Sequence, residues 1–379
     1  MAKAREIDWV LFGCVVSLIA FGLVICYSAG SVVGGLRGRG EWYFIGRQAF
    51  FALLGLPMLM YLARMDYRKW NEPKYAFLLM GAATILVFIG VALDSAAHRW
   101  IRVGPGQLQP SEIAKPALIL FCAYFIARRM KAINDRHTVL PASVAVGILG
   151  GAVVFGDLGT AVVLVMTAVL LFFVAGLQWR YIGIAVAIAG IGLVLAIAMK
   201  PYRMFRMIGF VDPDLKIVRM VDPEFADEYE AQNRRSGRDA SYQVTQSVVA
   251  VGSGSALGRG LMEGKQKLLY LPEAHTDFIY AVIGEELGFV GSMFVVVLFV
   301  AIAWRGLRIF LRVEDVFGKY LALGITVMIV FQALMNISVV LGIAPTKGIP
   351  LPMISYGGSS LLSSMICFGM LLSVSEHAN

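Results

Sequence analysis

The chain has 379 residues, of which 59% are hydrophobic and only 15% are charged. Soluble domains carry about 25% charged residues, so this composition excludes a soluble globular protein. Disorder is excluded as well, because a chain this apolar has ample surface to bury. The composition predicts a membrane protein, and an aromatic share of 11% suits anchoring at membrane interfaces.

The net charge of +8 arises from 33 Lys and Arg residues against 25 Asp and Glu residues. We expect no nucleic-acid partner, because the sequence carries no RNA- or DNA-binding motif. The basic residues instead collect in short loops between apolar segments, as membrane orientation requires. Four cysteines lie inside apolar runs without metal-ligand spacing, which predicts buried free thiols: Cys14, Cys26, Cys122 and Cys367.

Ten apolar windows approach the roughly 20 residues that a helix needs to cross a bilayer core about 30 Å thick. They are 9–29, 47–63, 75–94, 111–127, 138–156, 159–177, 180–199, 278–304, 319–342 and 354–374. The first window is longer than a signal-peptide core, so we interpret it as a transmembrane helix. The sequence therefore predicts an all-α polytopic membrane protein with about ten spans, in which residues 1–379 form a single transmembrane domain.

Basic residues concentrate in alternate loops and indicate the orientation of the spans. The basic loop residues are Arg64, Arg68, Lys69, Lys74, Arg128, Arg129, Lys131, Arg136, Arg305, Arg308 and Arg312. Short basic loops are typically cytoplasmic, so both termini are predicted to be cytoplasmic too. The longest outward segment is then the loop 200–277 between spans 7 and 8. We expect membrane-hugging arms in this loop and a mobile tip near 214–240.

The densest run of polar residues, 270–278, leads directly into an apolar span. It places Glu273, His275 and Asp277 within five positions. Polar groups at membrane depth are costly and point to function, although a side-chain oxygen here could simply cap the helix. Two glycines, seven and eleven residues after Asp277, share its helix face and suit close helix packing. Asp277 is therefore expected to point into the bundle.

A second polar cluster opens the fourth span. Glu112 and Lys115 stand at i,i+3 spacing, which is typical of an ion pair on one helix face. This pair is either functional or an interfacial pair that only neutralises itself. Just upstream, Arg99 and Arg102 flank a tryptophan. Asp157 occupies a glycine-bounded turn between two spans, where it is either an ordinary turn residue or part of a site.

Residues 345–360 form a third cluster, with three prolines and three glycines. Irregular backbone at membrane depth is tolerated only when it is buried in protein or lines a cavity. We therefore expect Lys347 and Ser355 to line one. Two glutamates inside the eighth span, Glu285 and Glu286, also need buried partners, which the sequence does not identify.

Four runs in these clusters resemble the SEDS family (shape, elongation, division and sporulation). They are LPEAHTDF at 271–278, IGEELG at 283–288, QPSEIAK at 109–115 and ISYGGSS at 354–360, and the similarity extends from the first span to the last. Residues 273–276 and 345–348 are more similar to the division member of the family than to the elongation member. The resemblance implies a peptidoglycan glycosyltransferase that polymerises lipid II at the outer face of the bacterial inner membrane during cell division.

Such a reaction requires a base for the acceptor hydroxyl and cations for the pyrophosphate leaving group. The motif match assigns the family's essential aspartate to Asp277, which we predict to be the base. The predicted substrate-binding residues are Arg99, Arg102, Arg203, Arg206, Lys267, Glu273, His275, Lys347 and Ser355, with Glu112 and Lys115 as a structural ion pair. A divalent cation (Mg²⁺ or Mn²⁺) could share the pyrophosphate charge, although no distinct metal-ligand spacing is evident.

The resemblance also implies a class B penicillin-binding protein transpeptidase of the FtsI type and other division proteins as partners, at the division septum. Two other functions stay open at this point. A flippase of lipid II would equally need a charged membrane cavity and irregular segments. A scaffold that only recruits the division machinery would tolerate changes to the outer acidic residues, whereas an enzyme would not.

Overall fold

A computed structural model describes residues 7–36, 38–94, 99–103, 106–212, 215–221, 223–227, 229, 240–268 and 270–377. The helices are α1 (Trp9–Leu36), α2 (Tyr43–Arg64), α3 (Pro73–Leu93), α4 (Pro110–Arg129), α5 (Arg136–Gly156), α6 (Leu158–Val174), α7 (Trp179–Ala198), α8 (Pro201–Val211), α9 (Lys216–Val221), α10 (Ala240–Ser253), α11 (Ile279–Arg312), α12 (Val316–Val340) and α13 (Gly358–His377). A short antiparallel hairpin, β1 (Ile101–Val103) and β2 (Gly106–Leu108), precedes α4.

Each of the ten predicted windows coincides with one of these helices. Nine of the described helices are long and apolar enough to cross a membrane, and α6 is a shorter apolar helix of 17 residues. The prediction of an all-α polytopic membrane protein is therefore confirmed. The ends differ most at α1 and α11, which continue past their apolar windows to Leu36 and Arg312 because helical hydrogen bonding does not require an apolar side chain.

The helices begin where the sequence supplies a cap or a proline. Asp135, Asp157 and Asp315 precede α5, α6 and α12, and each side chain accepts a hydrogen bond from a backbone N–H of the first turn. A proline opens α3, α4 and α8, where its missing N–H group leaves no helical hydrogen bond unmade. Aspartate caps and prolines therefore mark the start of these six helices.

Helices α4, α12 and α13 form the centre of the bundle, and α7 lies at its edge. In the most apolar part of each helix, 83% of α4 is buried inside the protein but only 6% of α7. The exposed side chains of α7 include Ile184, Ile188 and Ile191, which suit contact with lipid. The polar residues that concern function therefore gather around the central helices.

The segment 200–277 contains α8, α9 and α10. Phe205 of α8 packs against Leu215 and Tyr229 in a small apolar cluster. Part of the predicted mobile tip near 214–240 is thus folded as α9, and residues 230–239 lie outside the described residues. Leu215 and Tyr229 explain the difference, because both are buried against Phe205, whereas Ile217 and Met220 of α9 are exposed.

Helix α11 is interrupted at Gly288, whose φ of 65° is in the left-handed region. The backbone N–H groups of Arg259 and Gly260 donate to the carbonyls of Glu285 and Glu286, each at 3.0 Å. A Cβ atom at Gly288 would collide with this loop. The prediction that glycines on this face serve helix packing is therefore wrong at Gly288, where loop backbone takes the place of a neighbouring helix.

Candidate active site

Asp277 lies immediately before α11, with its side chain half-buried beside the irregular segment between α12 and α13. A Cβ atom at Gly348 would stand 2.9 Å from Asp277 Oδ2 and 3.6 Å from Arg99 Nη1. The absence of a side chain at Gly348 therefore lets the carboxylate of Asp277 and the guanidinium of Arg99 approach the backbone of the irregular segment closely. Asn336 of α12 holds this arrangement, since its Nδ2 donates to the carbonyls of Asp277 and Ile349, each at 2.7 Å.

The surroundings of Asp277 adjust its acidity. Burial raises the pKa of Asp277 to about 7, and the nearby Arg99 and Arg206 oppose the rise while Glu273 and Asp157 add to it. A carboxyl group with a pKa near the working pH exists partly as the basic form and can return a proton readily. Asp277 therefore has the acidity that a general base needs.

A cavity of about 70 Å³ adjoins this site and carries a strong excess of positive charge. The charged residues that line it are four cations and one carboxylate: Arg99, Arg203, Arg206, Lys347 and Asp157. They lie just before β1, on α8, in the irregular segment and in the turn between α5 and α6. Clustered cations of this kind suit a ligand that bears phosphate groups.

Arg203 also fixes the position of α8 against the rest of the bundle. Its guanidinium donates to the carbonyl oxygens of Val154, Phe155 and Ala196 at 2.6, 3.3 and 3.1 Å. These carbonyls lie at the ends of α5 and α7, where helical partners are lacking. Arg203 therefore positions the wall of the cavity, and Arg206, half-buried one turn later, is the more accessible cation of α8.

Lys347 and Asp157 face the cavity from opposite elements. Burial lowers the pKa of Lys347, and the carboxylate of Asp157 opposes that shift. Asp157 itself is buried and accepts from Gln109 Nε2 at 3.1 Å and from Thr160 Oγ1 at 2.7 Å. The turn-residue interpretation of Asp157 therefore holds, since it caps α6, and the same side chain also contributes to the cavity.

Several buried polar atoms around the cavity have no hydrogen-bond partner within the described part of the chain. They are Arg99 Nε, Thr346 Oγ1 and Ser111 Oγ. Thr346 lines this cavity, and Ser111 lines a smaller one of about 10 Å³ that shares Arg99 and Asp157. Buried polar groups are normally satisfied, so these atoms indicate that a polar ligand or water fills the space.

Lys267 is not at this site, so its placement among the substrate-binding residues needs correction. Its Nζ lies 2.6 Å from Glu286 Oε1 and 2.8 Å from Ser28 Oγ, and the side chain is 2% exposed. The backbone N–H of Met262 also donates to Glu286. A carboxylate buried in α11 needs a cation, and Lys267 supplies it.

His275 and Ser355 lie near Asp277 in sequence or space but do not line the cavity. The His275 ring packs against Phe44 and Tyr356, with centroids 4.6 and 5.8 Å away. Ser355 Oγ donates to the carbonyl of Thr276 at 2.6 Å and accepts from a backbone N–H of its own segment. The structure therefore gives both residues the role of joining the segment before α11 to the segment before α13.

Arg102 and Glu273 are exposed and are not among the cavity-lining residues. Arg102 lies on β1, and Glu273 accepts a hydrogen bond from Thr276 Oγ1 at 3.0 Å. Glu273 is close enough to Asp277 to raise its pKa. Of the nine predicted substrate-binding residues, the structure thus brings four together at the cavity: Arg99, Arg203, Arg206 and Lys347.

Glu112 and Lys115 form the ion pair that their spacing predicts, deep in the centre of the bundle. Lys115 Nζ lies 2.7 Å from Glu112 Oε2 and 2.8 Å from Gln332 Oε1. Both side chains of the pair are almost fully buried. Gln332 in turn donates to the carbonyl of Pro350 at 2.8 Å, so the pair is connected to the irregular segment.

Sequence reasoning missed the amide side chains that hold the irregular segment in place. Gln332 and Asn336 reach it from α12, and Gln48 of α2 bonds to the Ser355 carbonyl and the Gly357 N–H, each at 3.1 Å. The sequence does carry a signal for them, because each is a single amide side chain within an otherwise apolar part of a helix. Such residues need a partner at membrane depth, but the sequence does not say which one.

The described residues offer no obvious metal centre, since no three or more His, Cys, Asp or Glu side chains among them cluster as ligands would. Both oxygens of Asp157 already accept hydrogen bonds. A divalent cation at the site stays a prediction.

A family model of the cell cycle proteins FtsW, RodA and SpoVE matches residues 8–379. The chain belongs to this family. The resemblance found in the motifs is thereby confirmed across the whole chain.

Named relatives agree with this assignment. A probable peptidoglycan glycosyltransferase FtsW of Geobacter sp. (strain M18) is 36% identical, covering 100% of this chain and 99% of the relative. Stage V sporulation protein E of Bacillus subtilis is 35% identical, covering 99% of both chains.

Two solved structures share the fold. One is a chain from a structure that concerns the structural coordination of polymerization and crosslinking by a peptidoglycan synthase complex. It aligns with a TM-score of 0.76 at 26% identity, over 99% of both chains. The crystal structure of the rod shape determining protein RodA of Thermus thermophilus aligns with a TM-score of 0.68 at 23% identity, over 98% of both chains.

Proposed function

We propose that this chain is a peptidoglycan glycosyltransferase that polymerises lipid II, with Asp277 as its general base. The observation that carries the proposal is a carboxyl group with a pKa near 7 at the edge of a cavity lined by several cations. The relatives named FtsW share more than a third of their residues with this chain and support the same activity.

The residues present can perform inverting glycosyl transfer. Asp277 takes the proton from an acceptor sugar hydroxyl as that oxygen attacks the anomeric carbon of the donor. The bond from the anomeric carbon to the pyrophosphate oxygen breaks, and its electron pair leaves with the lipid pyrophosphate. An α-linked donor thereby becomes a β-linked product. Arg99, Arg206 and Lys347 stabilise the negative charge on the leaving group.

The shape of the site favours this assignment of roles. Gly348 lets the Asp277 carboxylate and the Arg99 guanidinium lie close to the same stretch of backbone, so the proposed base stands next to a cation that can bind the leaving group. The side chain of Arg203 is occupied by carbonyl oxygens and holds the cavity wall. The chain thus separates a rigid supporting guanidinium from the accessible cations that contact the substrate.

The cellular setting is also part of the proposal. The protein is a multi-pass membrane protein, and we place it in the bacterial inner membrane with both termini in the cytoplasm and Asp277 at the outer face. A class B penicillin-binding protein transpeptidase is its expected partner at the septum. The match to a chain of a solved peptidoglycan synthase complex supports such a pairing.

A polymerisation assay tests the proposed function. Purified chain is mixed in detergent with labelled lipid II, with and without a co-purified transpeptidase, and the glycan products are separated by size. We expect glycan polymer in at least one of the two conditions. Because lipid II in detergent is accessible from both sides, a flippase or a scaffold would give no polymer in either condition, and that result would overturn the proposal.

A further inference from the structure

Two arginines and a tyrosine converge where α1 is joined to α2. Arg39 Nη1 and Arg47 Nη1 donate to Tyr43 Oη at 3.4 and 2.8 Å. Their guanidinium carbons lie 5.0 and 5.6 Å from the centre of the same aromatic ring. We call these three residues the corner cluster. Two positive charges thus share one neutral hydroxyl group and one ring.

Glu41 lies between Arg39 and Arg47 in the sequence, but among the residues that the structure describes it forms no ion pair with either of them. None of the ion pairs found there involves Arg39 or Arg47. Two like charges held close together repel each other, most strongly where water is partly excluded. Loops on the outer side of a membrane are also usually poor in arginine. A bound anion would offset both costs.

Aromatic side chains connect the corner cluster to the segment that carries Asp277. The ring of Tyr43 lies 5.2 Å from that of Phe44, which in turn lies 4.6 Å from His275 and 5.0 Å from Tyr356. His275 is two residues before Asp277, whose own side chain faces the cavity residues instead. Phe44, the neighbour of Tyr43 in the sequence, therefore connects the corner cluster to the segment whose other side chain, Asp277, faces the cavity.

We infer that the corner cluster binds the pyrophosphate of a second lipid-linked saccharide, while the cavity binds that of the first. The inference rests on the proposed function, in which each transfer joins two lipid-linked substrates whose reacting sugars must meet at Asp277. Two guanidinium groups that converge on a hydroxyl match the geometry of phosphate oxygens.

A binding experiment tests the inference without requiring turnover. Native mass spectrometry counts the equivalents of polyprenyl pyrophosphate retained by the wild-type chain and by an Arg39→Gln/Arg47→Gln double variant. Arg259→Gln is the matched control, because Arg259 is an exposed arginine in a different loop, whose backbone pairs with α11, and it lies outside the cavity. We expect two equivalents for the wild type and the control, and one for the double variant.

The contrary results are equally distinct. A double variant that retains two equivalents, or a wild type that retains only one, would overturn the inference. Displacement of the second equivalent by an equal concentration of phosphatidylglycerol would also overturn it, since the site would then hold an ordinary lipid headgroup. Unchanged melting temperatures of both variants are required, and are expected because Arg39 is exposed and Arg47 is only half-buried.

Polymerisation kinetics separate this inference from the proposed function. If the wild type makes no polymer, the proposed function fails, while the binding count still reports on the corner cluster. If the wild type is active, we expect the double variant to raise the KM for lipid II by at least about tenfold, as lost charge-assisted hydrogen bonds do. A KM equal to that of Arg259→Gln would contradict the inference.

Discussion

The ionisation of Asp277 links the pH of the solution to the chemistry at a single residue. Its carboxyl group has a pKa of about 7, so the basic form is scarce at pH 6 and dominant at pH 8. We therefore predict that kcat/KM for lipid II polymerisation rises with pH through a midpoint near 7. A rate constant that is flat between pH 5.5 and 8.5 would contradict the role of Asp277 as base.

Asn336 is the residue we expect to position Asp277 without touching the substrate. Replacing Asn336 by Ala leaves the carbonyls of Asp277 and Ile349 without their donor, and each unsatisfied buried group costs about 1–3 kcal/mol. We predict that Asn336→Ala lowers kcat with little change in KM and lowers the melting temperature.

Asn134→Ala is the matched control for that variant. Asn134 also joins two backbone groups, Gly176 O and Gln178 N, but it does so in an exposed loop. The control is expected to keep the wild-type kcat. If both variants reduce kcat equally, the effect of Asn336→Ala is general loss of folding and says nothing about Asp277.

At this scale the sequence points to Asp277 more directly than to the residues that surround it. Asp277 was accessible because an unusual carboxylate in a specific motif precedes an apolar span. Lys267 was placed with the substrate because the sequence does not show that Glu286 lies in the same buried pocket. Charge type can be read from a sequence, whereas the partner of a buried charge depends on tertiary contacts.

At the scale of elements, the loop before α11 is held inside the bundle by the pair of Lys267 and Glu286. Removing one partner leaves the other charge buried and unpaired, which costs about 3–5 kcal/mol. We predict that Lys267→Met lowers stability strongly, and that the double variant Lys267→Met/Glu286→Leu recovers part of the loss. Thermal unfolding in detergent measures both; a Lys267→Met protein as stable as the wild type would refute the prediction.

The lengths of the apolar runs predicted the positions of the ten spans. They did not predict where a helix is interrupted. The apolar pattern continues through Gly288, so it does not predict that the helix is interrupted there and that its carbonyl groups accept hydrogen bonds from loop backbone. Likewise, the prolines of the segment 345–360 predicted irregular backbone, but the amides of α2 and α12 that satisfy it lie far away in sequence. Local composition predicts where a helix stops more readily than what replaces it.

The whole molecule has an even number of spans if α6 is counted with the nine longer ones. With densely basic loops on one side, this count predicts that both termini are cytoplasmic. A reporter that fluoresces only in the cytoplasm, fused after residue 379, should therefore be bright in living cells. The contrary result has two parts: this fusion is dark, and a second reporter that works only outside the cytoplasm is active when it is fused at the same position. Together they would contradict the ten-span topology and the outward position of Asp277.

Across the whole molecule, the family, the helical class and the count of spans were all predictable, because membrane thickness and long motifs constrain them tightly. The cavity was predictable only in part. Its cations lie just before β1, on α8 and in the segment after α12. Only the fold brings these distant parts of the chain together. The assignment of function therefore depends on their joint geometry around one carboxylate.

The most direct test of that assignment is lipid II polymerisation by Asp277→Asn protein, compared with wild type at equal concentration and with the same partner. Asparagine keeps the size of the side chain and removes its basicity. It also removes a carboxylate whose raised pKa weakens the fold as pH rises through 7, so the variant should fold at least as well. We predict that the rate falls by about 10²–10⁴ while expression and partner binding stay normal. Polymerisation by well-folded Asp277→Asn protein at the wild-type rate would contradict the account.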